Sequence, residues 1–249
     1  MADFIQALGK TFIQRRDVKA FQRKNGAYNP IHHPWTAKDI RLHVEGKTTL
    51  GHYLVDHDGL TRVVAFDIDF DDEEYRTKSG EKVVPRDVFS DPDHFARGEL
   101  TQQVRSLGDG LAWRMGRLYP ELKIMTTFSG SKGLHIYGCF GEAIDANTAR
   151  SLGQIILKSW GGGEVFEAVK GKNFYKACSF PSMTVEVFPK QSKIGSDGFG
   201  NLLRLPLGVN QKTGRESFFY DPGAPITELI PVDPALALAS GSLTSRSVL

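Results

Sequence analysis

The chain has 249 residues with a net charge of +2, 40% hydrophobic and 24% charged, the proportions of an ordinary globular protein long enough to bury a substantial core. Its two cysteines, Cys139 and Cys178, lie in unrelated contexts, which excludes a zinc ribbon and a disulfide framework. No apolar run approaches the roughly 20 residues of a membrane helix, and the N-terminus lacks a signal-peptide layout, so a cytoplasmic protein with no membrane partner is expected.

In chain order, Phe4, Leu8 and Phe12 recur at helical spacing and predict a surface helix. A hairpin is expected at Asn25-Gly26, followed by a short helix opened by Thr36 and closed near Gly46. The stretch "LGHYLVDHDGLTRVVAFDIDF" reads as two strand-like runs joined by a turn at Asp58-Gly59. Residues 71–97, charged and punctuated by proline, are expected to form an exposed insertion. Over 98–119, Leu100, Val104, Leu107, Leu111, Met115 and Leu118 recur at three and four residues and predict the clearest helix.

Strands follow at 122–128 and 134–140 around the glycine-rich "FSGSKGLHIYG", and Asp145 is placed to cap a helix running to Trp160, broken by the glycines at 161–163. Strands around "TVEVF", "NLLRLPL" and "ESFFY" complete a sheet, and residues 236–249 read as a tail or linker. The expected fold class is α/β (α+β), a mixed, largely antiparallel sheet covered by helices, with one two-lobed domain over 1–235.

Charge is unevenly placed. Asp67, Asp69, Asp71, Asp72, Glu73 and Glu74 crowd one segment, whereas lysines and arginines thread the last third of the chain. In "VVAFDIDF" side chains alternate, so Val64, Phe66, Ile68 and Phe70 face one way and Ala65, Asp67 and Asp69 the other. The two aspartates are then roughly 7 Å apart at the backbone. Their mutual repulsion asks for a cation, and oxygen-only ligation favours Mg²⁺ or Mn²⁺ over zinc. In "MTVEVFP", Met183, Val185 and Val187 face the core and Glu186 the opposite side. A third carboxylate there would complete a clamp for two ions about 3.5 to 4 Å apart. Glu164 and Glu167 are the weaker alternatives to Glu186.

In the hairpin, Ser129, Gly130, Ser131 and Gly133 let backbone N–H groups approach an anion, and Lys132 supplies charge. His135 alternates with inward Leu134 and Ile136 and emerges on the opposite face, while Arg204, between Leu203 and Leu205, can grip a phosphate bidentately. Together these read as a site for a metal-bound triphosphate.

Asp67-Ile68-Asp69, the "SGSKGLH" hairpin from Ser129 to His135, and Glu186 in "VEVF" resemble the three motifs of the archaeo-eukaryotic primase superfamily, which includes primase-polymerases of phages and plasmids. The hairpin is similar to that of the polymerase domain of bacterial end-joining DNA ligases, and "EVFPKQ" and "GNLLRLPLGVN" are similar to primase domains of mobile-element conflict systems. The resemblance spans roughly residues 50–220 and implies an RRM-like catalytic palm with an N-terminal α/β lobe beside it. Here Glu186 replaces the Asp of many relatives, and no cysteine or histidine cluster supplies the zinc element that some carry.

The resemblance implies template-directed nucleotidyl transfer in DNA replication by a primase-polymerase. Asp67, Asp69 and Glu186 would be the catalytic metal ligands for two Mg²⁺ or Mn²⁺ ions, and Ser129, Ser131, Lys132, His135 and Arg204 would bind the nucleotide. The partners implied are a single-stranded DNA template and NTPs or dNTPs, and by fold-level analogy a helicase, in a host cytoplasm if phage-encoded. Lys190, Lys193, Lys212 and Arg215 are candidates to track template phosphates, and Trp35, Tyr28 and Phe199 to stack bases. The rival readings are a two-metal nuclease or phosphodiesterase and an inactive single-strand-binding accessory domain.

Overall fold

Apolar side chains at every second position make the strand Leu60–Phe70 the centre of a sheet. The computed structural model describes residues 2–71, 74–160, 166–195 and 198–239. Within them the core runs strand Leu60–Phe70, helix Arg97–Leu118, strands Lys123–Phe128 and Gly133–Asp145, helix Ala146–Lys158 and strand Phe180–Phe188. This βαββαβ unit has its fourth strand beside the first, then the third, then the second, the arrangement of a ferredoxin-like or RRM-like palm. Strand Phe218–Phe219 extends one edge, and Tyr175–Ala177 and Phe166–Ala168 the other. Every pairing among the described strands is antiparallel, so the fold is α+β as expected, without the parallel pairs a mixed sheet would have.

One face of the palm is a core. Val64, Phe66, Ile68 and Phe70 pack with Leu134, Ile136, Met183 and Val185 against Val104, Leu107 and Leu111 of the long helix, and against Ile156 of the next. Each such aliphatic side chain contributes about 1.5–3 kcal/mol on burial. The other face changes character along the strand. Val63 and Ala65 are buried with Leu8 and Phe12 of the N-terminal helix Ala2–Phe12 and with Leu203 and Leu205, whereas Asp67 and Asp69, further along the same face, remain partly open. The N-terminal lobe therefore covers half of this face and ends where the carboxylates begin.

That lobe carries a second sheet in the order Leu202–Arg204, Leu50–Tyr53, Lys19–Gln22, Tyr28–Ile31. The two runs on either side of the Asp58-Gly59 turn thus belong to different sheets. Thr36 opens helix Ala37–Val44 through a capping box in which the Asp39 amide donates to Thr36 Oγ1 at 3.2 Å and the Thr36 amide to Asp39 Oδ2 at 2.8 Å. Asp39 also meets the buried Lys19 at 2.7 Å. Burial raises the Asp39 carboxyl, but the Lys19 and Thr36 hydrogen bonds outweigh it and hold the group below its ordinary 3.8. Asp39→Ala is expected to cost at least about 1 kcal/mol in chemical denaturation at neutral pH. Because the folded value is depressed, that contribution is present above the ordinary value and is lost as pH falls through the folded one. A pH-independent difference between the two proteins would contradict the assignment.

The described part of 71–97 is more integrated than an exposed insertion. Strands Tyr75–Arg76 and Lys82–Val83 pair, and helix Pro85–Ser90 buries Val88 and Phe89 in the palm core. Elements of two to six residues are too short for a periodicity to show, which hid this from sequence. The start of the expected tail is likewise a short helix, Pro234–Ala239, whose Ala237 and Leu238 are buried and whose first turn is capped by Asp233 Oδ1 at 2.7 Å from the Ala235 amide. Asp72, Glu73, the glycines at 161–163, Glu164 and residues 240–249 lie outside the described residues.

Candidate active site

Strand register assembles the acids. Glu186 lies directly opposite Asp67, Asp67 opposite His135, and His135 opposite Thr127. Opposed residues share a sheet face, and strands are about 4.8 Å apart, so Glu186, Asp67 and His135 form one lateral row. Asp69, two residues along, faces Thr184 and Gly133. Glu167 is three strands from Asp69, or about 14 Å at that spacing, and lies outside the row.

Burial pushes the Asp67 carboxyl well above the ordinary carboxylate range, and the charges of Asp69 and Glu186 push it the same way, against weaker opposition from Arg204 and Lys190. Asp67 Oδ1 is sealed from solvent and receives no hydrogen bond. His135 Nε2 lies 3.4 Å from it, yet this is no ion pair. Burial, followed by the charges of Arg204 and His52, lowers the imidazole to about 3, so His135 is neutral, with Nδ1 3.0 Å from the Tyr137 hydroxyl. Glu186 Oε2 is 2.7 Å from Lys190 Nζ.

The glycine hairpin lies beside Asp69, which pairs with Gly133 across the strands. Gly130 adopts φ +69°, a conformation that favours glycine. Gly133 lies so close to the Asp-x-Asp strand that a Cβ there would sit 2.0 Å from the Ile68 carbonyl oxygen and 2.2 Å from Asp69 Oδ1. Ser129 Oγ accepts from the amides of Ser131 and Gly133, both at 3.3 Å, and Lys132 is buried and donates to the Phe70 carbonyl. Much of what was expected to face an anion thus shapes the hairpin and ties it to the acid strand.

Arg204 is placed differently from expectation. Its strand belongs to the N-terminal sheet, and the side chain crosses between lobes to donate to the Ser129 carbonyl, leaving its buried Nε without a partner. Arg215, expected to track template, donates from Nη2 to the Ser131 carbonyl at 2.9 Å, and its Nε and Nη1 are buried without partners. Two guanidinium groups therefore flank the hairpin with donors to spare. Tyr137 also belongs to the site: it is two residues from His135, shares its face and meets its Nδ1, and strand alternation is the signal that could have found it. Tyr28 is pushed up to about 12 by burial, with Arg204 opposing and Asp67 assisting, which puts its hydroxyl within electrostatic reach of the row.

The other template candidates are dispersed. Phe199 packs on Tyr53 and His32 at 5.4 and 5.0 Å, Trp35 donates to the Val18 carbonyl at 3.0 Å, and Lys193 and Lys212 are exposed. Among the described residues no helix is long and apolar enough to cross a membrane.

Asp67, Asp69 and Glu186 fit a divalent cation in their donor chemistry: they are oxygen donors, mutually repelling, and one sealed oxygen of Asp67 makes no hydrogen bond. Beside them, unspent guanidinium donors suit phosphate. No curated protein matches the chain. Residues 4–229 match the family described as the archaeo-eukaryotic primase domain of the TOTE conflict system. With that match covering most of its length, the chain belongs to the archaeo-eukaryotic primase family of TOTE conflict systems, within a superfamily of primase-like nucleotidyltransferases.

Proposed function

We propose that this site joins nucleotides from NTPs or dNTPs on a single-stranded DNA template, as a primase-polymerase releasing pyrophosphate. The observation that carries the reading is the row of Glu186 and Asp67, whose buried Oδ1 makes no hydrogen bond, set beside a hairpin flanked by arginines with unpaired donors. Asp67, Asp69 and Glu186 would hold two Mg²⁺ or Mn²⁺ ions. Bound there, such ions acidify the attacking 3′-hydroxyl and neutralise charge on the departing pyrophosphate.

The protein's own part is positioning and charge. Ser129 and Lys132 hold the hairpin in shape against the acid strand, so its arginines start from fixed anchors. Arg204 and Arg215 would offer the triphosphate guanidinium N–H groups that are already desolvated and have no protein partner, and desolvation strengthens a bond to an anion. His135, being neutral, serves as a dipolar contact rather than a counter-charge.

A nuclease needs no grip on pyrophosphate, so nucleotide titration separates the readings. A nucleoside triphosphate with Mn²⁺ should bind at least about tenfold more tightly than the monophosphate, and Arg204→Lys, which keeps the charge but loses the fork, should weaken triphosphate binding by about tenfold. Equal affinities for tri- and monophosphate, or an Arg204→Lys protein with wild-type affinity, would contradict the assignment.

A further inference from the structure

Asp67, Asp69 and Glu186 do not yet close on a point: among the described residues, no three Asp, Glu, His or Cys side chains form a group that could hold a metal ion. Glu186 instead meets Lys190, four residues on, at 2.7 Å. The Lys190 ammonium also lies 4.6 Å from the centre of the Phe188 ring, and its side chain is only 19% exposed, so it is seated rather than dangling. Its charge favours the ionised form of Asp67 across the row. Lys190 is thus placed where it offsets the charge of the acid row.

We propose that Lys190 is a resident counter-ion of the acid row, released from Glu186 when a divalent cation loads and then available to bind a phosphate. The inference rests on the metal-binding reading of Asp67, Asp69 and Glu186. Its physical basis is competition. The ammonium sits on Glu186 Oε2 at 2.7 Å, and a divalent cation ligated by the same carboxylate would bring two positive charges together, which repel. Lysine suits such exchange because its point charge rides on a flexible stem and carries three rotatable donors, unlike the fixed fork of arginine. The two sides of the exchange are chemically matched, since a cation entering the row and a nucleotide phosphate arriving with it leave the freed ammonium with a new anionic partner.

The test is Mn²⁺ binding to the whole chain without nucleotide, read as loss of the free Mn²⁺ signal in electron paramagnetic resonance. Lys190→Met, which removes the repelling charge, should bind Mn²⁺ about tenfold more tightly than wild type, and adding Glu186→Gln should erase the gain. Lys190→Arg should show no gain. Lys190→Gln serves the same comparison if thermal unfolding shows that the Met variant is not folded. Unchanged or weaker binding by Lys190→Met, with Asp67→Asn still abolishing binding, would overturn the exchange while leaving the metal site standing. If neither wild type nor Lys190→Met binds Mn²⁺, the metal reading fails and the exchange fails with it.

Discussion

Asp67→Asn is expected to lower nucleotide joining by about a thousandfold or more while leaving the metal-free protein at least as thermally stable as wild type. The amide keeps the shape of the side chain and removes its charge. That charge is costly without a cation, because burial, Asp69 and Glu186 all oppose ionisation of Asp67. A carboxyl whose folded pKa is raised favours the folded state least once it is ionised. The stability advantage of Asp67→Asn should therefore grow as pH rises from about 4 through the raised folded value. Mn²⁺ should raise the unfolding temperature of wild type and leave the variant unmoved. A folded Asp67→Asn protein with near wild-type activity would remove the central role given to this carboxylate. Function here is held at some expense to stability, as is common where like charges are gathered for catalysis.

Gly133→Ala should be the most damaging single-methyl change near the site. Gly133 pairs with Asp69 across the strands, and the added carbon would fall 2.0 Å from the Ile68 carbonyl oxygen and 2.2 Å from Asp69 Oδ1. The carbonyl belongs to the sheet backbone and cannot swing aside as a side chain would. The hairpin must lift from the acid strand, at a cost of about 3 kcal/mol or more, and it carries Ser129, Lys132 and His135 with it. Thermal unfolding should show a clear drop, and nucleotide joining should be lost. Gly141→Ala is the matched control, since nothing lies within 4 Å of its added carbon although it is in the same strand. Equal behaviour of the two variants would mean that the hairpin is not held against Asp69 in this way.

The alternation in "VVAFDIDF" and "MTVEVFP" was sufficient to put Asp67 and Asp69 on one face and Glu186 on the polar side of its own strand, because strand periodicity is local. The three- and four-residue spacing of Leu100 to Met115 made the long helix legible for the same reason, as did the caps at Thr36 and Asp145. What local pattern does not encode is which strands become neighbours. That Glu186 opposes Asp67 depends on a pairing between segments more than a hundred residues apart, and that Arg204 arrives from the other sheet depends on how the lobes pack. Nor does residue type reveal how a side chain is used: Lys132 and Ser129 were legible as a basic hairpin, but their bonds to Phe70 and to neighbouring amides come from the fold.

The most direct measurement is a gel assay on unprimed single-stranded DNA with labelled NTPs or dNTPs and Mn²⁺, comparing wild type with Asp67→Asn. Short labelled products from wild type, absent with the variant, are the predicted result. No product from wild type, or shortening of the template in its place, would contradict template-directed nucleotide joining by this site.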